Sequence, residues 1–380
     1  MTETHAAAPS PHPKKSAELF IATLWILAVI AATVQQGIQH QNNNFLIFRA
    51  ASLHLLHGQD MYAAYPALHL DKFKYSPSFA LLFLPFAVLP FALSTLLWNA
   101  LNAGLLWAAI GMVLPRRGAL VARAIVFLDM LGSLQNVQSN ALVTGLIILA
   151  FAAYERRHTV IGTVSAGVGA SIKVFPLAGL SFALFHPRKL RVAVATVLIS
   201  VGLLALPLLV TPLDTLLAQY ASWRAVESHD ALDRGFTVMQ MVELLFHQGW
   251  PNWPQQLAGV LLLVAPVLVR RDRWAEWTFR RLYLCSVLLF CVIFNHQSES
   301  PTFVIAAAGA AIWFASLTWP TRAEWALFVF FVVCTILASS DAMPKVVQRE
   351  VFDRYHFKTV PCIVLWVLLQ VRLWRSRAVG

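Results

Sequence analysis

The loop Asn295-His296-Gln297-Ser298-Glu299-Ser300 sets an imidazole and a carboxylate three residues apart, between two apolar runs. A carboxylate at the lip of a low-dielectric cavity suits a general base, and a nearby histidine can hold or relay the proton. The same residues also read as a helix start. Ser298 or Ser300 stands before Pro301, and Glu299 would favour the positive end of the helix dipole.

The densest polar stretch lies earlier, between Gln35 and Pro77. Within it Asn44 reads as the N-cap of a helix over 45–57, and Gly58 as its stop. That helix is mostly apolar and too short to span a bilayer, so it is expected to lie along the membrane surface with Arg49 and Ser52 on its polar face. Arginine binds phosphate through two parallel hydrogen bonds, and lysine supplies a point charge. Arg49 with Lys72 and Lys74 could therefore hold a lipid phosphate; contact with ordinary headgroups is the competing reading. Asp60 is a second candidate base, in the turn Gly58-Gln59-Asp60-Met61-Tyr62, where a turn-forming role competes.

Lys173 interrupts an apolar run in Ser171-Ile172-Lys173-Val174-Phe175-Pro176. A lysine there is costly in lipid unless it is paired, functional or snorkelling to the surface. Gln135, Asn136, Gln138, Ser139 and Asn140 form a polar turn between two apolar runs, suited to hydrogen bonding between helices. Two further polar regions, Arg224–Arg234 and Asp341–His356, mix both charge signs and read as solvated surface. Cys285, Cys291, Cys334 and Cys362 all fall inside apolar runs and read as small buried hydrophobes. No zinc spacing and no glycine-rich phosphate loop occurs, so neither a metal nor another cofactor is expected.

These residues need a scaffold, and composition says what it is. The chain has 380 residues, of which 58% are hydrophobic and only 12% charged. That is far too little charge to cover a soluble surface, and mean hydropathy is +0.65. The pattern gives about 12 apolar segments. They lie near 18–36, 76–89, 91–114, 119–134, 140–154, 160–185, 190–210, 255–269, 282–294, 301–319, 323–339 and 357–372, and Pro85 and Pro90 make the second a candidate for a kinked or partial crossing. Trp98, Trp319, Trp325, Trp366 and Trp374 lie near predicted span ends, where indoles favour the headgroup layer. The fold class expected is all-α and polytopic: a disordered cytoplasmic tail over 1–17, one transmembrane domain over 18–372, and a cytoplasmic tail over 373–380.

Lys14 and Lys15 orient the first span, and alternation then puts both termini in the cytoplasm. His186–Arg191, Arg270–Arg281 and Arg372–Arg377 fall inside. Arg116, Arg117, Arg156 and Arg157 fall outside, as exceptions to the charge rule. The large loops 37–75, 211–254 and 340–356, with the short 295–300, face outward. The net charge of +11 suits anionic lipid or an anionic lipid-linked substrate; the basic residues are too scattered for nucleic acid.

Several stretches together carry a resemblance. They are Asn44-Phe45…Phe48-Arg49-Ala50-Ala51…His57-Gly58-Gln59-Asp60-Met61-Tyr62, then Tyr75-Ser76-Pro77 through Leu89-Pro90, then Gln138-Ser139-Asn140, then Lys173-Val174-Phe175-Pro176. Their order and spacing are similar to glycosyltransferase family 87 over roughly the first half of the chain. The resemblance implies a GT-C type membrane enzyme with a polyprenyl-phosphate sugar as donor, often mannose. It implies inverting transfer to a lipid or glycan acceptor on the outer face of the cytoplasmic membrane, with a carboxylate in the first outer loop as base. Where the family usually shows Asp-Phe, this chain has Asn44-Phe45, and an amide cannot take a proton at neutral pH. Glu299 with His296 is the preferred replacement and Asp60 the second. Asn44, Arg49, Tyr62, Lys72, Lys74, Tyr75, Gln138, Asn140 and Lys173 are the expected substrate-binding set. The rival readings are a transporter or flippase, and a non-catalytic relative that binds lipid-linked sugar.

Overall fold

The computed structural model describes residues 15–39, 43–231, 233–340 and 343–375. Lys14 and most of both expected tails lie outside the described residues, as do His40–Asn42 and Asp341. Every regular element among the described residues is helical. The first half runs α1 (Lys15–Gln39), α2 (Asn43–Leu56), α3 (Pro77–Ala87), α4 (Phe91–Val113), α5 (Arg116–Gln135), α6 (Asn140–Glu155) and α7 (Thr159–Ile172). A 3₁₀ segment, Phe175–Phe185, leads to α8 (Lys189–Ala205) and α9 (Leu213–Asp230). Then come α10 (Val238–Phe246), α11 (Asn252–Val269), α12 (Trp277–Ile293), α13 (Val304–Ala315), α14 (Arg322–Phe331), the single turn α15 (Lys345–Val347) and α16 (Val360–Trp374).

Among the described residues five helices are long and apolar enough to cross a bilayer: α1, α4, α5, α8 with its extension to Leu209, and α11. Almost all of α6 and α13 and most of α12 is buried, so these shorter helices fill the middle of the bundle. The run of alanines in α13, Ala306 to Ala311 around Gly309, lets α12 and α5 approach it closely. On the outside, α1 and α8 keep most of their apolar surface uncovered, as a lipid-facing helix must. Cys285, Cys291 and Cys362 are buried and unbridged, and Cys334 is half-buried and unbridged.

The contacts sort the loops into two ends, and the sorting corrects the expected topology. Arg116 pairs with Glu18 at the start of α1, and Arg156 donates to the Met112 carbonyl at 3.2 Å. Arg280 pairs with Glu155 at 2.8 Å. His186 sits against Thr159, and Arg273 reaches the Arg372 carbonyl at 3.1 Å. Arg116, Arg117, Arg156 and Arg157 thus join the other basic clusters at one end.

Two departures from the expected spans produce this. The segment 76–89 does not run from end to end. It is α3, only 11 residues long with Pro85 inside it, and it packs antiparallel on α2. Phe48 meets Phe79, Phe45 meets Phe83, and Phe91 just beyond α3 returns to Phe45. The segment 160–185, in contrast, folds back on itself: α7 rises, the chain breaks at Lys173, and Phe175–Phe185 returns to His186. One crossing is lost and one gained, so the start of α1 and the end of α16 both lie at the basic end.

Two local expectations change as well. The helix over 43–56 is not a surface float: eight of its residues, Ser52 among them, are buried, and Ser52 Oγ donates to the Ala80 carbonyl at 2.7 Å. Trp98 is not at the headgroup layer either. It lies in an aromatic cluster with Phe48, Phe79, Phe83 and Phe86, and Trp366 is also buried; Trp319, Trp325 and Trp374 are exposed.

Candidate active site

The end opposite the basic clusters holds a cavity of about 450 Å³. Six separated segments wall it: Asn44 to Phe48, Asp71 to Tyr75, Gln138, Ala170 to Phe175, Trp223 to Gly235, and Asn295 to Glu299. Each arrives through a local device the sequence dictates. Past α5, Val137 adopts a left-handed φ of 49°, unusual for a β-branched residue, which turns Gln138 toward the cavity. α7 ends because Lys173 is extended, three residues before Pro176 in the first turn of the next segment. Glu299 stands at the start of the turn Ser300–Phe303 that leads into α13, with its N–H donating to Thr302 Oγ1 at 3.3 Å.

These devices join residues far apart in sequence into one hydrogen-bonded run. Lys173 Nζ donates to Asn140 Oδ1 at 2.7 Å. Asn140 Nδ2 donates to Gln138 Oε1, and Gln138 Nε2 donates to Glu299 Oε2 at 3.0 Å. A half-buried cation is thus linked through two amides to a carboxylate that stays open to the cavity. The arrangement fixes each amide's orientation, because each accepts on the lysine side and donates on the carboxylate side. It can hold an anion near Lys173 and present a proton acceptor at Glu299.

Lys72, Lys74, Tyr75 and Asn44 also line the cavity. Burial first, then the nearby Glu299 charge, push the Tyr75 phenol above its ordinary value, so it remains a neutral hydroxyl. His296 lines the cavity with its Nδ1 3.3 Å from Gln256 Nε2. Asn44 is not the helix cap: α2 begins at Asn43, and Asn44 Nδ2 donates to the Asn136 carbonyl at 2.9 Å. Gly58 does end the helix region, at a left-handed φ of 67°.

Four predicted site residues do not line the cavity. Asn140 sits one layer behind it, between Gln138 and Lys173. Tyr62 is buried and props the cavity wall, its hydroxyl donating to the Tyr75 carbonyl at 2.7 Å. Arg49 is on α2 but not among the lining residues. Asp60 faces away: its carboxylate accepts from the Tyr62 N–H at 3.0 Å and from Ser222 Oγ at 3.3 Å, which is the turn-forming role. The candidate base on geometry is Glu299.

The segment 211–254, expected as solvated surface, is instead a roof. Gln219 bonds both the Gln59 carbonyl and the Met61 N–H, and Trp223 Nε1 donates to the Lys74 carbonyl at 3.1 Å. Glu227, Asp233 and Arg234 thereby enter the cavity wall. Arg234 spends its guanidinium on Asn252, Trp250 and Glu243, so it holds α10 and α11 together. The backbone of Gly235 and Phe236 pairs with His296 and Ser298 at 2.9 and 2.8 Å, which clamps the roof to the Glu299 loop. The one advance signal was the length of that loop.

A sequence model of glycosyltransferase family 87 matches residues 73–295. The match contains Tyr75–Pro77, Gln138–Asn140 and Lys173–Pro176; Asn44–Tyr62 precede it, and His296 and Glu299 follow it. Among solved structures the chain is similar to ArnT from Cupriavidus metallidurans bound to undecaprenyl phosphate, with 12% identity and a TM-score of 0.48 over 95% of this chain and 76% of that one. It is also similar to the apo oligosaccharyltransferase of Archaeoglobus fulgidus, with 12% identity and a TM-score of 0.42 over 94% of this chain and 56% of that one. No curated protein matches.

Proposed function

The chain belongs to glycosyltransferase family 87, and we propose that it moves a sugar from a polyprenyl-phosphate donor to an acceptor hydroxyl at the outer face of the cytoplasmic membrane. Mannose is the sugar the family resemblance suggests. The observation that carries the reading is the run Lys173–Asn140–Gln138–Glu299 opening on one cavity. The basic end would face the cytoplasm, as the charge rule requires, so the cavity faces outward.

In this mechanism the donor's prenyl chain lies against the apolar flank and its phosphate enters among Lys72, Lys74 and Lys173. The acceptor hydroxyl attacks the anomeric carbon from the side of Glu299. Its proton passes to the Glu299 carboxylate as the bond to the phosphate oxygen breaks. The leaving polyprenyl phosphate carries away the electron pair, and the three lysines neutralise that growing charge without a metal. Displacement from the face opposite the leaving phosphate inverts the anomeric centre. His296 at the cavity rim can accept the proton from Glu299 between turnovers.

The test uses purified protein in nanodiscs with radiolabelled polyprenyl-phosphate mannose and a panel of glycan and lipid acceptors. Transfer abolished in Glu299→Gln and retained in Asp60→Asn supports the reading. Undiminished transfer in Glu299→Gln moves the base elsewhere. A wild-type protein that binds the donor and transfers to no acceptor favours a sugar-binding relative.

A further inference from the structure

A second polar group lies beneath the site, and nothing in the mechanism above uses it. Asp129 is on α5 and Lys358 lies just before α16, both buried, with 8% and 3% of their surface exposed. Lys358 Nζ stands 3.8 Å from Asp129 Oδ1. It also donates to Ser300 Oγ at 2.9 Å and to the Ser300 carbonyl at 3.1 Å, and it lies over the Phe303 ring. The Lys358 backbone is itself fixed, because Thr335 in the π-helical turn Val332–Ile336 donates to its carbonyl at 3.0 Å.

The ammonium therefore grips the residue that follows Glu299. On the other side of Glu299, Gln138 holds the carboxylate. Asp129 and Gln138 flank the end of the same helix, α5, so one rigid element sets both grips. A buried ion pair gains little stability over a well-packed apolar pair of the same size. A charged pair inside a lipid-embedded bundle points instead to a task, and the atoms it immobilises are those of the Ser300 peptide.

We infer that Asp129 and Lys358 are positioning residues: the pair anchors Ser300 and so aims the Glu299 carboxylate into the cavity. The inference rests on the reading of Glu299 as the base. A displacement of about 1 Å at a reacting group can cost about 100-fold in rate, so a loosened Ser300 would be felt at the chemical step.

The decisive variant is the double change Asp129→Asn with Lys358→Met, which removes both charges and leaves neither buried alone. In nanodiscs three quantities are read: thermal unfolding, amide exchange across residues 296–303, and transfer from polyprenyl-phosphate mannose. The expected result is an unchanged melting temperature, exchange across 296–303 at least tenfold faster, and kcat at least tenfold lower with the donor KM unchanged. Asp129→Glu should recover most of the lost rate relative to Asp129→Asn. A double variant with wild-type exchange across 296–303 overturns the inference whether or not turnover is seen. So does one that turns over at the wild-type rate. Glu299→Gln is measured beside it: full activity there sinks the base assignment, while the exchange data still decide the anchor.

Discussion

Gln138 Nε2 donates to Glu299 Oε2 at 3.0 Å, across 161 positions of chain. The bond joins the turn after α5 to the turn before α13, and it is the last link from Lys173. A hydrogen bond to a charged group contributes about 1.5–3 kcal/mol. Gln138→Leu removes that donor and leaves the Asn140 amide without its acceptor. The expected loss in kcat is therefore about 10- to 100-fold. Initial rates with saturating donor check this; a rate within twofold of wild type would show that the link carries no catalytic weight.

Lys173 is the half-buried, cationic end of the same run, and its proposed task is to hold the donor's phosphate. Lys173→Met should raise the donor KM by about tenfold or more, the scale of one lost charge-assisted contact. Lys72→Met, at an exposed and solvent-screened position, should change it less. Titrating the donor at fixed acceptor separates the two.

The residues that proved adjacent were mostly visible beforehand as polar interruptions of apolar runs. Lys173, Gln138–Asn140 and the His296–Glu299 loop each stood out because charge and amides are expensive in lipid. Pairing was not visible, because it depends on which ends of the bundle the loops occupy. Hydropathy counts 76–89 as a segment, and Pro85 and Pro90 mark it as a candidate partial crossing; with only 11 helical residues α3 is a partner for α2. It read 160–185 as one span too, since Lys173 and Pro176 break the helix without breaking the apolar run. Asp129 and Lys358 lie 229 positions apart in the sequence, and only the packing of α5 under the start of α13 brings them together.

Gly235 has a steric reason to be glycine. A Cβ there would lie 2.3 Å from the Ser298 carbonyl oxygen, where the roof clamps onto the Glu299 loop. Gly235→Ala must push the two strands of backbone apart, at a cost of about 1–3 kcal/mol typical of overpacking. The expected outcome is a lower melting temperature and a larger proportional loss of transfer than any stability loss explains. Gly249→Ala, with open space at its Cβ, is the matched control and should change neither.

His54 gives the fold a dependence on pH. It is buried on α2, stacked on Tyr65 with ring centroids 4.1 Å apart. Burial first, then the charges of His69 and His57, hold its pKa below the ordinary 6.5, with Asp60 opposing. A histidine depressed in the folded state costs nothing well above 6.5, where both states are neutral. As pH falls through 6.5 the unfolded chain takes up the proton and the folded chain does not, so stability drops. The melting temperature should be level above pH 7 and decline toward pH 5, and His54→Gln should decline less steeply. Parallel slopes in the two proteins would remove His54 as the cause.

The topology makes the most exposed prediction, because it reverses four residues of the simple alternation. Single cysteines at Arg117 and Arg157 should react with a membrane-impermeant maleimide only from the side that carries Arg188 and Arg271, since Arg116 is held by Glu18 and Arg156 by Met112. Cysteines at Lys72 and Gln297 should react from the opposite side, because both line one cavity. The physical basis is that α3 turns back on α2 while Lys173 splits the later span, so the two changes in crossing number cancel. Labelling of Lys72 and Gln297 positions from different faces would separate the lysines from Glu299 by the thickness of the bilayer. No single active site could then contain them.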